Sequence, residues 1–165
     1  MDKYHIGSTN FNAQDRLSIL NLIDGITIYY DDYENGLQNY IDCYTEDGLF
    51  ILKIPGKDPQ YVYKNPESGQ NGMKEFFGER IADFIAQAKQ NRHNYSNKVI
   101  IEQTDHEAKA IVNLIFVCNQ HYDSNQGPVG LINVQMSAQY DISFRKHKDR
   151  WLVHEMIANV DNTFS

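Results

Sequence analysis

Val134-Gln135-Met136-Ser137-Ala138-Gln139-Tyr140-Asp141-Ile142-Ser143-Phe144 alternates apolar and polar side chains along its length. A period of two is the pattern of a strand with one buried face. Val134, Met136, Ala138, Tyr140, Ile142 and Phe144 are therefore expected to point inward, and Gln135, Ser137, Gln139, Asp141 and Ser143 outward. The flanking segments continue the sheet. Arg150 to Asn159 reads as the next strand, after a Lys148-Asp149 turn. Ala108 to Gln120 is apolar on both faces, as suits a central strand. Arg92 to Glu102 alternates again, with His93, Tyr95, Asn97, Val99 and Ile101 on one face.

The N-terminal half has a different period. From Ala13 to about Asp32 the apolar residues Ile19, Leu22, Ile23, Ile26 and Tyr30 fall at helical spacing. Asn12 or Asn10 is a suitable cap, and Asn35-Gly36 breaks the helix. A second short helix carries Leu37, Tyr40, Ile41 and Tyr44 on one side and stops at Glu46-Asp47-Gly48. Leu49 to Ile54 reads as a strand. Pro55-Gly56-Lys57-Asp58-Pro59 is a turn, and Gln60 to Tyr63 is the partner strand. A third helix spans about Gly72 to Gln90, with Met73, Phe76, Phe77, Ile81, Phe84 and Ile85 as its apolar face. Helices segregated from mostly antiparallel strands make an α+β fold. A long curved sheet wrapped around the N-terminal helices predicts a cone-shaped α+β barrel with a central pocket.

The 165 residues suit one domain, read as a loose arm over 1–12 and a single domain over 13–165. A formal net charge of −7 repels phosphate backbones and argues against nucleic-acid binding. Aromatic residues make up 12% of the chain, which fits a sheet-rich core or an aromatic-lined pocket. Cys43 and Cys118 cannot form a zinc site alone, and a disulfide between them has no support from spacing. No run is long enough to span a bilayer, and the polar start Met1 to Asn12 has no apolar leader, so a cytoplasmic protein is the default expectation.

Among titratable residues, alternation points His93 inward. Near neutral pH an inward imidazole serves as a general base or as a hydrogen-bonded core residue, and both readings stand. Asp31 lies at the edge of the Ile19 stripe, with a solvated helix-end carboxylate as the plain alternative. Asp32 is an alternate for any role given to Asp31. His154 alternates with Leu152, Met156 and Ala158, and so either lines a cavity or sits half-exposed on a strand. Tyr29, Tyr30 and the Tyr40-Tyr44 stripe suit packing. His121-Tyr122-Asp123 falls in a polar loop, and His5, His106 and His147 read as surface residues.

Several stretches carry a resemblance. They are Ile19-Leu20-Asn21-Leu22-Ile23 with Asp31, Tyr44 to Phe50, Arg92 to Asn97 leading into Val99-Ile100-Ile101-Glu102, and Tyr140 to Trp151 ending in Asp149-Arg150-Trp151-Leu152-Val153. In order and spacing the sequence resembles the SnoaL-like branch of the nuclear transport factor 2-like superfamily, over roughly residues 14–160. That group contains dehydratases, a dehydrochlorinase, cyclases and isomerases. It also contains non-catalytic members such as the small subunits of ring-hydroxylating dioxygenases. The resemblance implies that Asp31 and His93 form a catalytic dyad. The carboxylate would fix the imidazole tautomer and stabilise the imidazolium. Tyr30 and Tyr95 are implied as hydrogen-bond donors to a substrate, with His154, Met156 and Ile26 as further pocket residues. Ile26 and Met156 stand where dehydratase-type members often have Tyr or Lys and Arg. The implied reaction is elimination or isomerisation of a small, largely apolar molecule next to a carbonyl. It needs no metal or organic cofactor. A non-catalytic ligand-binding or accessory subunit is the alternative. Homodimerisation through the open face of the sheet, by way of Gln135, Ser137, Gln139 and Ser143, is also expected.

Overall fold

The computed structural model describes residues 11–87, 89–120 and 131–163. Most of the expected N-terminal arm, His5 and His121-Tyr122-Asp123 lie outside the described residues. Helix α1 (Ala13–Asp31) and the short α2 (Gly36–Asp42) come first. Strands β1 (Tyr44–Lys53), β2 (Gln60–Tyr63) and β3 (Asn71–Gly72) lead to α3 (Met73–Ala86). The long strands β4 (Lys89–Gln103), β5 (Glu107–Gln120), β6 (Leu131–His147) and β7 (Arg150–Thr163) complete the chain. The seven strands form one open sheet in the order β3-β2-β1-β7-β6-β5-β4. All neighbours are antiparallel except β1 with β7 and β2 with β3. No helix among the described residues is long and apolar enough to cross a membrane.

Helix α1 starts where a cap was expected. The Asn12 side-chain carbonyl accepts the Asp15 backbone N–H at 3.0 Å. Ile19, Ile23 and Ile26 then form its buried stripe, each at most 1% exposed. Burying each of these side chains stabilises the fold by roughly 1.5–3 kcal/mol. Across the stripe α1 packs on β4 and β7, which sets it inside the cone of the sheet. At its end, Gly36 lies where any Cβ would come within 1.7 Å of the Tyr29 carbonyl oxygen, so the tight step into α2 requires glycine.

The long strands depart from plain alternation at β-bulges, and each bulge moves side chains to the other face. In β4, Ser96 faces Asn113 but Val99 faces Ile111, so Asn97 and Lys98 share one partner position. Asn97 takes φ of 48°, a left-handed conformation that Asn tolerates better than most residues. The expected single face therefore splits. His93 and Tyr95 point inward, and beyond the bulge it is Ile100 that is buried rather than Val99 and Ile101. In β6, Met136 faces Phe116 while Val134 faces Val117, leaving Gln135 as the extra residue. Val134 is thereby turned outward and is 50% exposed, contrary to its expected inward position. In β7, Val153 faces Phe144 and Glu155 faces Ser143, so His154 is the extra residue.

The second helix also ends earlier than its apolar spacing predicted. Tyr44 is already the first residue of β1, and the register jumps from Tyr44 to Leu49 against β7. Glu46-Asp47-Gly48 lies in this irregular part of β1 and does not terminate a helix. The Lys64 ammonium donates to the Tyr44 carbonyl at 2.8 Å, and the Asn65 amide to the Glu46 carbonyl at 2.9 Å, satisfying backbone that the ladder leaves free. In α3 the apolar face holds except at Ile85, which is 56% exposed. Cys43 and Cys118 are buried free thiols.

One polar group ties α1 to the far hairpin. The Asp15 carboxylate accepts from the Lys146 ammonium at 2.7 Å and from the Trp151 indole N–H at 3.0 Å. These bonds, the Lys146 one first, hold its pKa below the ordinary carboxylate value of 3.8. Because the folded pKa is lowered, the stabilisation is complete above the unfolded value and is lost as pH falls through the folded one. Asp15→Asn is expected to lower the unfolding free energy at pH 7 by about 1–2 kcal/mol. Urea titrations at pH 7, 5 and 3.5 check this: the gap between variant and native protein should hold at pH 5 and narrow at pH 3.5.

Candidate active site

Strand β4 is an edge of the sheet, so its outward backbone groups have no neighbouring strand. The end of α1 and the turn after it cover this edge. The Asn91 N–H donates to the Tyr33 hydroxyl at 2.9 Å, and the His93 N–H donates to Asp31 Oδ2 at 2.9 Å. The other Asp31 oxygen, Oδ1, lies 2.6 Å from His93 Nδ1. Asp31 thus holds the backbone and the ring of the same residue. Both its oxygens accept, so the proton on the ring is assigned to Nδ1 and the lone pair to Nε2. Both side chains are only 10% exposed. Asp32 is exposed instead and accepts the Asn35 N–H at 3.2 Å, so Asp31 is the residue paired with His93.

His93 borders a cavity of about 200 Å³ between the helices and the inner face of the sheet. Its ring stands edge-on to Tyr30 at 4.9 Å between centroids and is tilted against Phe116 at 4.5 Å. Asp31 does not reach the cavity. It lies behind the imidazole, next to a surface recess that it shares with Asp32 and Arg92. Among the described residues, His93 Nε2 has no protein hydrogen-bond partner, and neither has the Tyr30 hydroxyl.

The remaining lining is mostly aromatic. Tyr30 packs on Tyr40 and Phe77, and Tyr95 stands edge-on to Tyr140 at 5.3 Å. Burial pushes the phenols of Tyr30, Tyr40, Tyr95 and Tyr140 well above their ordinary value, so they remain protonated donors at neutral pH. Tyr33, outside the cavity, is pushed up to about 12, mainly by burial.

Of the residues proposed from sequence, His93, Tyr30, Tyr95 and Ile26 line the cavity. His154 and Met156 do not. The bulge at His154 directs its ring to the other side of the sheet, where Nδ1 lies 3.5 Å from Asp47 Oδ1 and from Thr45 Oγ1. Met156 is inward but sits behind a tyrosine layer. Its sulfur accepts from the Tyr44 hydroxyl at 3.5 Å, and Tyr44 is in turn hydrogen-bonded to Tyr40 at 2.9 Å. Sequence reasoning missed Arg80, Tyr140, Phe77 and Phe116 as cavity residues. Arg80 had a visible signal: it falls between Phe76 and Phe84 at four-residue spacing, a lone cation on an apolar helix stripe.

No protein-family model matches the sequence, and no curated protein matches it. Solved structures do match. An NTF2-like protein with a cystatin-like fold from Novosphingobium aromaticivorans superposes with a TM-score of 0.64 at 13% identity, over 92% of this chain and 85% of that one. This chain has the cystatin-like, NTF2-like fold. ActVI-ORFA from Streptomyces coelicolor shares that NTF2-like architecture with a TM-score of 0.68 at 14% identity, over 93% of this chain and 100% of that one. A protein from Catenulispora acidiphila, solved in complex with S-DNPA, gives 0.63 at 19% identity over 91% and 96%. The open sheet and the helix set inside it are the NTF2-like cone.

Removing the Asp31 carboxylate leaves the edge N–H of His93 and its ring without an acceptor. Asp31→Ala is therefore expected to cost about 2–4 kcal/mol of stability. Asp32→Ala, which loses one exposed hydrogen bond, should cost about 1 kcal/mol or less. Equal losses in chemical denaturation would contradict the clamp.

Proposed function

We propose that the protein is a cofactor-independent lyase or isomerase acting on a small, largely apolar organic molecule. The observation that carries this reading is the Asp31–His93 pair, with Nδ1 held at 2.6 Å and Nε2 left free beside a cavity of about 200 Å³. In this reading Nε2 removes a proton from a carbon next to a carbonyl. The electron pair moves onto the carbonyl oxygen, and the Tyr30 hydroxyl donates to that oxygen. The imidazolium, its charge offset by Asp31, then returns the proton. Returned to another carbon, it completes an isomerisation. Given to a leaving group as the enolate collapses, it completes an elimination. Tyr95, bordering the same cavity, supplies a second donor. The neighbour solved with S-DNPA supports the fold's capacity to hold a small ligand. The apolar Ile26 favours a second reading, in which the cavity binds its ligand without turning it over.

Proton abstraction is testable without the natural substrate. Native protein in heavy water is expected to accelerate deuterium exchange at the α-carbon of 2-tetralone, followed by NMR. His93→Gln should lower the catalysed rate by roughly 10²-fold or more, and Asp31→Asn should also lower it. Exchange at the buffer rate with native protein, or an undiminished rate with His93→Gln, sinks the catalytic reading and leaves the binding one.

The same proposal includes a homodimer formed through the outer face of the sheet. Besides Gln135, Ser137, Gln139 and Ser143, that face exposes Ile115 by 46% and Val134 by 50%. Size-exclusion chromatography with light scattering should give twice the chain mass, and Ile115→Glu should shift the protein toward monomer. A monomer at tens of micromolar native protein would refute the dimer.

A further inference from the structure

Arg80 brings a permanent charge into an aromatic cavity whose lining contains no carboxylate. Its carbon lies 3.4 Å from the centroid of the Phe76 ring, and Nη1 donates to the Phe76 carbonyl oxygen at 2.9 Å. Those contacts orient the group but use few of its five N–H donors. Among the described residues no Asp or Glu comes within ion-pair distance of it. Burial lowers its pKa, which reflects the cost of keeping this charge out of water. A guanidinium held in this way is a planar fork suited to a carboxylate.

We propose that Arg80 is the recognition group for an anionic ligand, and that the cavity takes an apolar ring compound carrying one carboxylate. The carboxylate meets the guanidinium on α3, and the ring lies among the aromatic side chains within reach of His93. Tyr30 lines the same cavity and stands edge-on to the His93 ring. This deepens the proposed function by naming its substrate class. It rests on that reading only in taking the cavity as a ligand site.

Isothermal titration of 2-naphthoate and its neutral counterpart 2-naphthamide tests the assignment. The native protein should bind the carboxylate roughly tenfold or more tightly than the amide. Arg80→Met should lose that preference while keeping its affinity for the amide, and Arg80→Lys should keep part of the preference. Equal affinities for the native protein, no binding of either compound, or a preference that survives Arg80→Met overturns the proposal. The charge preference should also persist in His93→Gln. Preference without proton exchange would sink the proposed reaction and leave Arg80 in its role, whereas exchange without preference would do the reverse.

Discussion

The Asp31 carboxylate on His93 is the contact on which the rest of the site depends. An open sheet has to satisfy the outward N–H groups of its edge strand, and here the end of α1 does so with side chains. The same carboxylate that accepts the edge N–H also orients the imidazole. A fold-level requirement and a chemical one are met by one residue. The coupling works in both directions: α1 cannot shift along the sheet without releasing the ring, and the ring cannot rotate without losing an anchor of α1.

Around that contact the cavity stays open because its walls are stiff. Tyr30 and Tyr40 each pack edge to face against Phe77, and Phe50 and Phe76 extend the layer toward β1. Such rings have few rotamers and poor alternatives for filling the space between them. The Tyr40–Tyr44 hydrogen bond and the sulfur contact to Met156 close the layer from behind. The two basic side chains that face inward are each held by a second contact: His93 by Asp31, Arg80 by the Phe76 carbonyl.

Much of this was legible in the sequence. The period of each long element gave the α+β class and the order of helices and strands. The resemblance picked out Asp31 and His93 before any geometry was known. Two kinds of feature were not legible. The first is strand parity: a bulge adds one residue without any change of composition, so Val134 and the stretch of β4 from Val99 to Ile101 were assigned to the wrong face, and parity could not choose between the two readings of His154. The second is depth. Met156 was correctly read as inward, but nothing in a strand pattern says that Tyr44 stands between it and the cavity. Arg80 was a different failure, because its place on the apolar stripe of α3 was in plain view and only its chemistry went unweighed. The choice between Asp31 and Asp32 lay beyond periodicity, since neighbouring residues at a helix end differ by rotation alone.

The bulge at Asn97 also affects how this chain can be compared or recombined with others. It works as a frame shift in the folded chain that a second bulge at Ile101 reverses, so only the residues between the two bulges are read in the other phase. Pairing β4 residue by residue with a strand that lacks these insertions would match core positions to surface ones between Asn97 and Ile101. A chimera that grafts the His93 end of β4 onto another scaffold would have to carry the stretch from Asn97 to Ile101 with it, because the two bulges together keep the ends of the strand in step.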